Sequence, residues 1–487
     1  MSGKGLSLLG LAIGLMTGLA AYGIVEYWID GRDDNAAAFT VLFFIVTMAA
    51  SYLLLSEAGA LFKAVAGALL IALIFALPDF FIVSALSGDA TNLSPFPGLF
   101  WIMTRGLAAY LLTVLVKAAI EGGIPFGYTR VFFHGVTMPL IIAGAILFAG
   151  LALVLLFTWA RLLKDLDVSF FNALFQKPWF LLPFIGAVSG LSIAVMRSQQ
   201  AALGALRFVV LLLARILMLI TAVFTVTLLT VFAINGVDVV FERPYPGATM
   251  IALAIAGMLI FNGVYQNGDG PPPPLWLRIP TLITLIGFPV YALLAFHAFS
   301  LRIDAYGLTP PRIAGTAVTG LVAAYSIVCI AGLLTELNWR AKRWMPMVGP
   351  LNIVMAALWI AVLIAIATPF ANPWAISARS QYALLAGERI AVSDFDFAYL
   401  RFSLGDHGER TLDRLEALET HPEIVEIRKS IAHVRSVKSA WAYRNPALLN
   451  GETPLAPDDQ EIDGPQSLPL NPDGVDVAPD DREPETL

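Results

Sequence analysis

The chain has 487 residues, of which 58% are hydrophobic and only 14% are charged, and its mean hydropathy is +0.76. Soluble domains are about 45–50% apolar and about 25% charged, so this composition excludes an ordinary soluble protein. The net charge of −6, to which an acidic C-terminal end contributes, argues against a nucleic-acid partner. Cys329 is the only cysteine, so no intrachain disulfide can form.

About eleven apolar segments, each long enough to cross a bilayer, occupy most of the chain up to residue 371. Lipid leaves only helices or closed barrels as spanning structures, and long uninterrupted apolar runs favour helices. We therefore predict an all-α, polytopic transmembrane helical bundle over residues 1–371. The predicted spans are 5–27, 37–57, 60–86, 98–120, 131–159, 178–196, 204–234, 248–266, 278–300, 313–335 and 349–370.

Between the fifth and sixth spans, residues 161–177 mix apolar side chains at near-helical spacing with charges. This pattern predicts a helix lying in the membrane interface, or alternatively an extension of the neighbouring span. Lysine and arginine are in modest excess in the loops that lie inside if the N-terminus is inside. The acidic loop 30–34 then lies outside and the cationic loop 339–344 inside. With eleven spans, the N-terminus is cytoplasmic and the C-terminus periplasmic.

The C-terminal part has two segments of different character. Residues 372–446 show helical apolar spacing and predict a small periplasmic helical segment. Residues 447–487 are acidic and rich in proline, which predicts a disordered tail. Asp394 and Asp396 are better interpreted as residues that start a helix than as a catalytic pair.

Ionisable side chains inside spans are costly and default to functional hypotheses. Asp79 in the third span and Arg105 in the fourth each lie about 12 Å from the loop that joins the two helices, at about 1.5 Å per residue. We expect an interhelical ion pair, which is either a structural link or part of a transport or catalytic site.

Arg215 interrupts an apolar run near the middle of the seventh span. It cannot easily reach the interface from there, so we expect it to face the bundle interior and to meet carbonyls, water, headgroup oxygens or an acid such as Asp79. Its role is either structural or functional. Lys117, Arg207 and His134 lie near predicted span ends and are interpreted as interfacial or snorkelling residues.

Two polar groups mark the ends of later spans. Asn262, Tyr265 and Gln266 close the eighth span at the inner face, where they could cap the helix end or bind a lipid headgroup. A second group crowds a short outer loop, in which Gly307 permits a tight turn and Pro310 can start the next helix. This loop is either a shaped connector or a docking surface for the C-terminal segment or for a periplasmic partner. Its candidate residues are His297, Asp304, Tyr306, Thr309 and Arg312.

Three stretches carry a family resemblance: FNGVYQNG at 261–268, RIDAYGLTPPR at 302–312, and SARSQ at 377–381 followed by FDFAYLRF at 395–402. Together they resemble the bacterial membrane-protein family called domain of unknown function 4153, in its alphaproteobacterial form. The resemblance spans roughly residues 200–420. It implies placement in the bacterial inner membrane and a C-terminal extension, and it assigns no catalytic residue or cofactor.

No catalytic signature, cofactor motif or metal-ligand spacing stands out, so the sequence favours three classes of function. The first is an envelope interaction or assembly protein that is surrounded by membrane lipids and docks an envelope protein through residues 372–446. The second is a transporter or channel that uses Asp79, Arg105 and Arg215. The third is an intramembrane enzyme that acts on a lipid-linked substrate at the outer-loop residues.

Overall fold

The computed structural model describes residues 3–29, 36–57, 59–86, 96–241, 246–336, 343–437, 439–440 and 443. All regular structure within these ranges is helical, which confirms the predicted all-α class. The predicted disordered tail at 447–487 lies outside the described residues.

Eleven of the described helices are long and apolar enough to cross a membrane, which is the number that the sequence predicts. Most of them begin or end a few residues away from the predicted limits. They are α1 (Gly3–Ile24), α2 (Ala36–Leu55), α3 (Leu61–Leu86), α4 (Phe96–Gly122), α5 (Tyr128–Asp165), α7 (Pro178–Ser198), α8 (Gln200–Asn235), α9 (Pro246–Tyr265), α10 (Leu275–Tyr306), α11 (Pro310–Glu336) and α12 (Val348–Ala365).

The segment between the fifth and sixth spans is partly an extension of α5, as the second alternative predicts, and partly a separate short helix. Its first part extends α5 to Asp165, and its second part forms the short helix α6 (Phe170–Phe175). Much of the C-terminal half of α5 is exposed, and it carries large apolar side chains such as Leu147, Leu151 and Leu155. This surface is suited to contact with lipid.

Glycines allow two helices that are distant in the sequence to pack closely. Gly10 and Gly14 on α1 face Gly186 and Gly190 on α7, and a Cβ atom at any of these positions would overlap the backbone of the other helix. Because lipid tails are as apolar as leucine, close van der Waals contact takes over much of the role that the hydrophobic effect plays in water. This packing places α7 beside α1 within the bundle.

Four further α-helices follow the last span and form a core of their own: α13 (Pro373–Ala386), α14 (Phe397–Ser403), α15 (Gly405–Glu416) and α16 (Ile424–Ser436). Asn372 Oδ1 accepts hydrogen bonds from Trp374 and Ala375 at the start of α13. Asp396 Oδ1 accepts the Tyr399 N–H at 3.0 Å and so caps α14, which confirms its predicted role in starting a helix. We call residues 373–436 the C-terminal helical domain.

Candidate functional sites

The predicted ion pair between the third and fourth spans is present. Arg105 Nε lies 2.8 Å from Asp79 Oδ1, and Arg105 NH2 lies 2.9 Å from Asp79 Oδ2. The same guanidinium donates to Thr47 Oγ1 at 2.5 Å and to the Phe43 carbonyl at 3.3 Å, both on α2. One arginine therefore links α2, α3 and α4.

Aromatic rings close the space around this pair. The guanidinium carbon of Arg105 lies 5.4 Å from the Phe43 ring centroid, 5.3 Å from that of Phe75 and 5.9 Å from that of Trp101. The Asp79 side chain is only 1% exposed. A pair so enclosed has the geometry of a structural link, because no solute can reach its carboxylate without local opening.

The prediction that Arg215 faces the bundle interior was wrong. Its side chain is exposed on α8, and it makes no hydrogen bond or ion pair with any described residue. The buried positions of α8 include Ala214 and Met218, and a Cβ atom on Gly263 of α9 would lie 2.6 Å from the Ala214 Cβ. Arg215 is therefore separate from Asp79 in this structure.

A charged group at the opposite end of the bundle from the C-terminal helical domain corrects another expectation. Lys117 is buried rather than snorkelling. Its Nζ donates to the Leu55 carbonyl at 3.0 Å and to Glu57 Oε1 at 2.5 Å, and it lies 3.5 Å from Glu121 Oε1. The lysine thereby joins the end of α2 to α4.

Two more side chains complete this group. His134 is also buried, and its Nε2 lies 2.8 Å from Glu121 Oε2. Arg197, at the end of α7, donates to the Leu53 carbonyl and to Ser56 Oγ at 2.8 Å. We call Glu57, Lys117, Glu121, His134 and Arg197 the inner-face cluster, after the side on which the sequence analysis places them.

Glu57, Glu121 and Arg197 could not be grouped from the sequence because they come from separate elements. The only local signal was the spacing of Lys117 and Glu121, four residues apart on one helix face. Arg207 lies beside the cluster on α8, where its guanidinium stacks 4.2 Å from the Phe133 ring centroid. It is half-buried, so the interfacial interpretation suits Arg207 better than Lys117.

Asn262 Nδ2 donates to the Met258 carbonyl within α9 at 2.8 Å, but the other hydrogen bonds of this amide cross to neighbouring helices. Asn262 Nδ2 donates to the Tyr325 hydroxyl at 2.8 Å, and its Oδ1 accepts from Asn352 Nδ2 at 2.7 Å. The Asn352 amide also donates to the Tyr128 hydroxyl at 3.0 Å. This network ties α5, α9, α11 and α12 together, and it satisfies polar groups that would be costly in an apolar interior.

The other two inner-face candidates differ from Asn262. The Tyr265 hydroxyl donates to the Met345 carbonyl and accepts the Gly349 N–H, both at 3.1 Å, and so satisfies a backbone donor in the first turn of α12. Gln266 has φ of +58°, directly after the end of α9. The capping prediction is thus met at a neighbouring helix rather than at α9.

The outer loop docks onto the C-terminal helical domain, which confirms one of the two alternatives for this loop. Ser377 Oγ donates to the Leu308 carbonyl at 2.8 Å, and the Leu308 N–H donates to Ser380 Oγ at 2.9 Å. Gln381 Nε2 donates to the Tyr306 carbonyl at 3.1 Å. We call these three hydrogen bonds between loop 306–308 and α13 the outer clasp.

The shape of the loop makes this docking possible. Gly307 has φ of +71°, and a Cβ atom there would lie 2.5 Å from Leu384 Cδ1 of α13. Arg312 donates from its NH1 to the Gly307 carbonyl at 2.8 Å, and its guanidinium carbon lies 5.5 Å from the Tyr306 ring centroid. Thr309 is buried directly before α11, which begins at Pro310 as predicted.

Two outer-loop candidates lie outside the clasp. Asp304 is exposed, and the His297 ring contacts Phe241 edge-on with centroids 5.0 Å apart. His297, Asp304 and Arg312 therefore do not share one set of contacts, as an acid–base site would require. Within the described residues, no group of three or more His, Cys, Asp or Glu side chains could hold a metal ion.

Inside the C-terminal helical domain, one buried hydroxyl is joined to the clasp. The Tyr399 hydroxyl lies 3.0 Å from Ser377 Oγ, and burial raises the pKa of Tyr399 to about 12. This phenol stays protonated at neutral pH, so it can serve as a hydrogen-bond donor. Tyr399 thus links α14 to the serine that binds the outer loop.

The eleven apolar helices and the buried polar links between them define a multi-pass helical membrane protein. Comparison with models of known families, with curated proteins and with solved structures gave no match to this chain.

Proposed function

We propose that this chain is an interaction or assembly protein of the bacterial inner membrane, with the C-terminal helical domain as its docking module. The observation that carries the proposal is the outer clasp, in which Ser377, Ser380 and Gln381 bind the backbone of loop 306–308. A domain held at three points has a defined orientation relative to the membrane. Such preorganisation lowers the entropic cost of binding a partner.

The C-terminal helical domain has an apolar core and a charged surface, as expected of a domain that contacts other proteins in water. Its core is apolar, and its outer positions carry charged networks, such as Arg435 with Asp413 at 2.6 Å and with Glu416 at 2.7 Å. Exposed pairs of this kind add little stability but supply charge complementarity to a partner. The domain therefore combines a rigid attachment with a polar face.

The alternative functions have weaker support. A transport path would have to join Asp79 and Arg105 to Arg215, yet the first two are enclosed by aromatic rings and Arg215 is on the outside of α8. An enzyme acting on a lipid-linked substrate would need convergent acids and cations at the outer loop. Arg312 there is engaged by the Gly307 carbonyl and serves the turn.

The proposal includes an orientation. We place the N-terminus in the cytoplasm and the C-terminal helical domain in the periplasm, with membrane lipids around the bundle. An odd number of spans puts the two ends on opposite sides, and the loop charges favour the cytoplasm for the N-terminus.

Native mass spectrometry on protein purified from its own membranes in mild detergent tests this function. The full chain is compared with one truncated after Ala371 and with a matched control truncated after Pro446, which keeps the C-terminal helical domain. We expect a stoichiometric protein partner with the full chain and with the control, and its loss from the shorter chain. If no protein partner accompanies the full chain, or if one remains after removal of the domain, the proposal is wrong.

A further inference from the structure

A cation on the exposed face of α8 requires an anion that the described residues do not supply. Arg215 is exposed, and none of the described residues forms a hydrogen bond or ion pair with it. The described sequence of α8, Gln200–Asn235, contains Arg207 and Arg215 and no acid. An arginine at the centre of an apolar helix costs roughly 2.5–3.5 kcal/mol on insertion scales, so a counter-charge here has a definite energetic role.

The depth of Arg215 indicates which membrane leaflet can supply that anion. Arg207 lies beside the inner-face cluster, and Arg215 follows it by eight residues, or about 12 Å along the helix. Side chains on a helix lean toward its N-terminus, so Arg215 points back toward the end that carries Arg207. The nearer source of anions is the leaflet at the N-terminal end of α8.

The apolar surface around Arg215 has the character of a lipid contact. Its exposed neighbours are large, including Leu212 at 43%, Leu213 at 50% and Ile216 at 50% exposure. Helices of this bundle that pack closely use small residues instead, as Gly14 does against Gly186. A face of leucine and isoleucine without such residues favours acyl chains over a second transmembrane helix.

Arg207 adds a second cation about two helical turns from Arg215, toward the N-terminus of α8. Its guanidinium lies on the Phe133 ring and makes one long hydrogen bond, 3.4 Å to Thr137 Oγ1. A guanidinium has five N–H donors, so most of those of Arg207 are available to another acceptor. The two arginines lie eight residues apart and place positive charge on neighbouring sides of the N-terminal half of α8.

We propose that Arg215 binds the phosphate of a phospholipid in the leaflet at the N-terminal end of α8. The phosphate is drawn inward past Arg207, as local thinning of the bilayer around deep arginines permits. The acyl chains lie along the exposed leucine and isoleucine side chains. Arginine suits this task because its fork of N–H groups matches phosphate oxygens in a bidentate geometry.

Lipid binding to the delipidated full-length protein in detergent tests the site by native mass spectrometry. The probes are dioleoylphosphatidylglycerol and dioleoylglycerol, which share acyl chains and differ in the phosphate. We expect the protein to retain the phospholipid and not the diacylglycerol. Arg215→Ala and Arg215→Gln should each weaken phospholipid retention about tenfold, Arg215→Lys should weaken it less, and the matched control Lys63→Ala, at an exposed cation on α3, should leave it unchanged.

Several results would overturn the site. Equal retention of the two probes would show that the phosphate is not recognised. Retention by Arg215→Ala equal to that of Lys63→Ala would show that the arginine merely snorkels. A protein with a membrane helix that copurifies and is lost with Arg215→Gln would assign the face to a helix instead. Thermal unfolding of each variant checks that a loss of lipid binding is not caused by a loss of fold. If either Arg215→Ala or Arg215→Gln fails to fold, the other still tests the site.

Discussion

Arg105 and Arg215 both interrupt apolar runs within predicted spans, and the protein treats them in opposite ways. Arg105 is enclosed by Asp79, two groups of α2 and three aromatic rings, whereas Arg215 is exposed and has no described partner. A cation that the fold satisfies internally holds helices together. A cation that the fold leaves unsatisfied leaves binding capacity for something outside the chain.

The largest effect that tests this contrast is expected from Asp79→Ala. Removing one partner of a buried ion pair leaves the other charge unpaired and costs about 3–5 kcal/mol. We expect a large fall in the thermal unfolding midpoint in detergent, with Asp304→Ala, at an exposed acid, as the control.

The double variant Asp79→Leu/Arg105→Leu sharpens the same test. If the pair is structural, removing both charges should recover much of the stability lost by the single change, because apolar replacements of a buried pair are often tolerated. If the double variant folds well but no longer supports the function of the protein in the cell, the pair has a chemical role instead.

Lys117→Met examines the second buried cation. The change leaves Glu57 and Glu121 without their shared lysine, so we expect a loss of about 2–4 kcal/mol, in the range found when a buried charge pair loses one partner. Thermal unfolding compares this variant with Lys63→Met, because Lys63 is exposed and should tolerate the change. Equal midpoints for the two variants would contradict the structural role of the inner-face cluster.

Gly307→Ala asks whether the outer clasp depends on the shape of its loop. The new Cβ would meet Leu384, and the backbone conformation of Gly307, with φ of +71° and ψ of −176°, is essentially restricted to glycine and adds strain of about 1–3 kcal/mol. We expect faster proteolysis of the C-terminal helical domain. Gly123 is a control for the positive φ, because it also has φ of +71° but no atom within 4 Å of a Cβ built there. Similar proteolysis of Gly307→Ala and Gly123→Ala would show that docking does not depend on this close approach.

A smaller effect is expected from pH in the C-terminal helical domain. Burial, followed by the nearby Arg410, lowers the pKa of His407 below its ordinary value of 6.5. The unfolded chain therefore binds the proton more readily, so domain stability is retained above pH 6.5 and falls as the pH drops toward the lowered pKa. Hydrogen exchange across α15 should show this loss in the full chain, and His407→Asn should reduce it. An unchanged pH profile in the variant would assign the effect to other groups.

The smallest change in stability is expected from substitution of Arg215. Because the side chain is exposed and forms no hydrogen bond or ion pair with a described residue, Arg215→Leu should change the free energy of unfolding in delipidated detergent by no more than about 0.5 kcal/mol. Arg105→Leu should be strongly destabilising under the same conditions. If both substitutions destabilise equally, the contrast between an enclosed and an exposed arginine fails.

The sequence was sufficient to predict the all-α class and the eleven spans, because length and hydropathy decide whether a helix can cross lipid. It also located the Asp79–Arg105 pair, since two helices joined by one loop must place residues at equal spacing from that loop at equal depth. The turn at Gly307 and the start of α11 at Pro310 followed from local backbone preferences.

The direction in which Arg215 faces depends on how α8 packs against its neighbours, and the sequence did not predict it. Apolar residues surround it on all sides of α8, so the hydropathy pattern contains no signal for the orientation of the helix about its axis. The inner-face cluster was hidden for a related reason. Glu57, Lys117 and Arg197 come from three separate parts of the chain, and packing of α2, α4 and α7 brings them together. In a membrane helix, hydropathy sets the depth of a residue, and side-chain packing sets its neighbours.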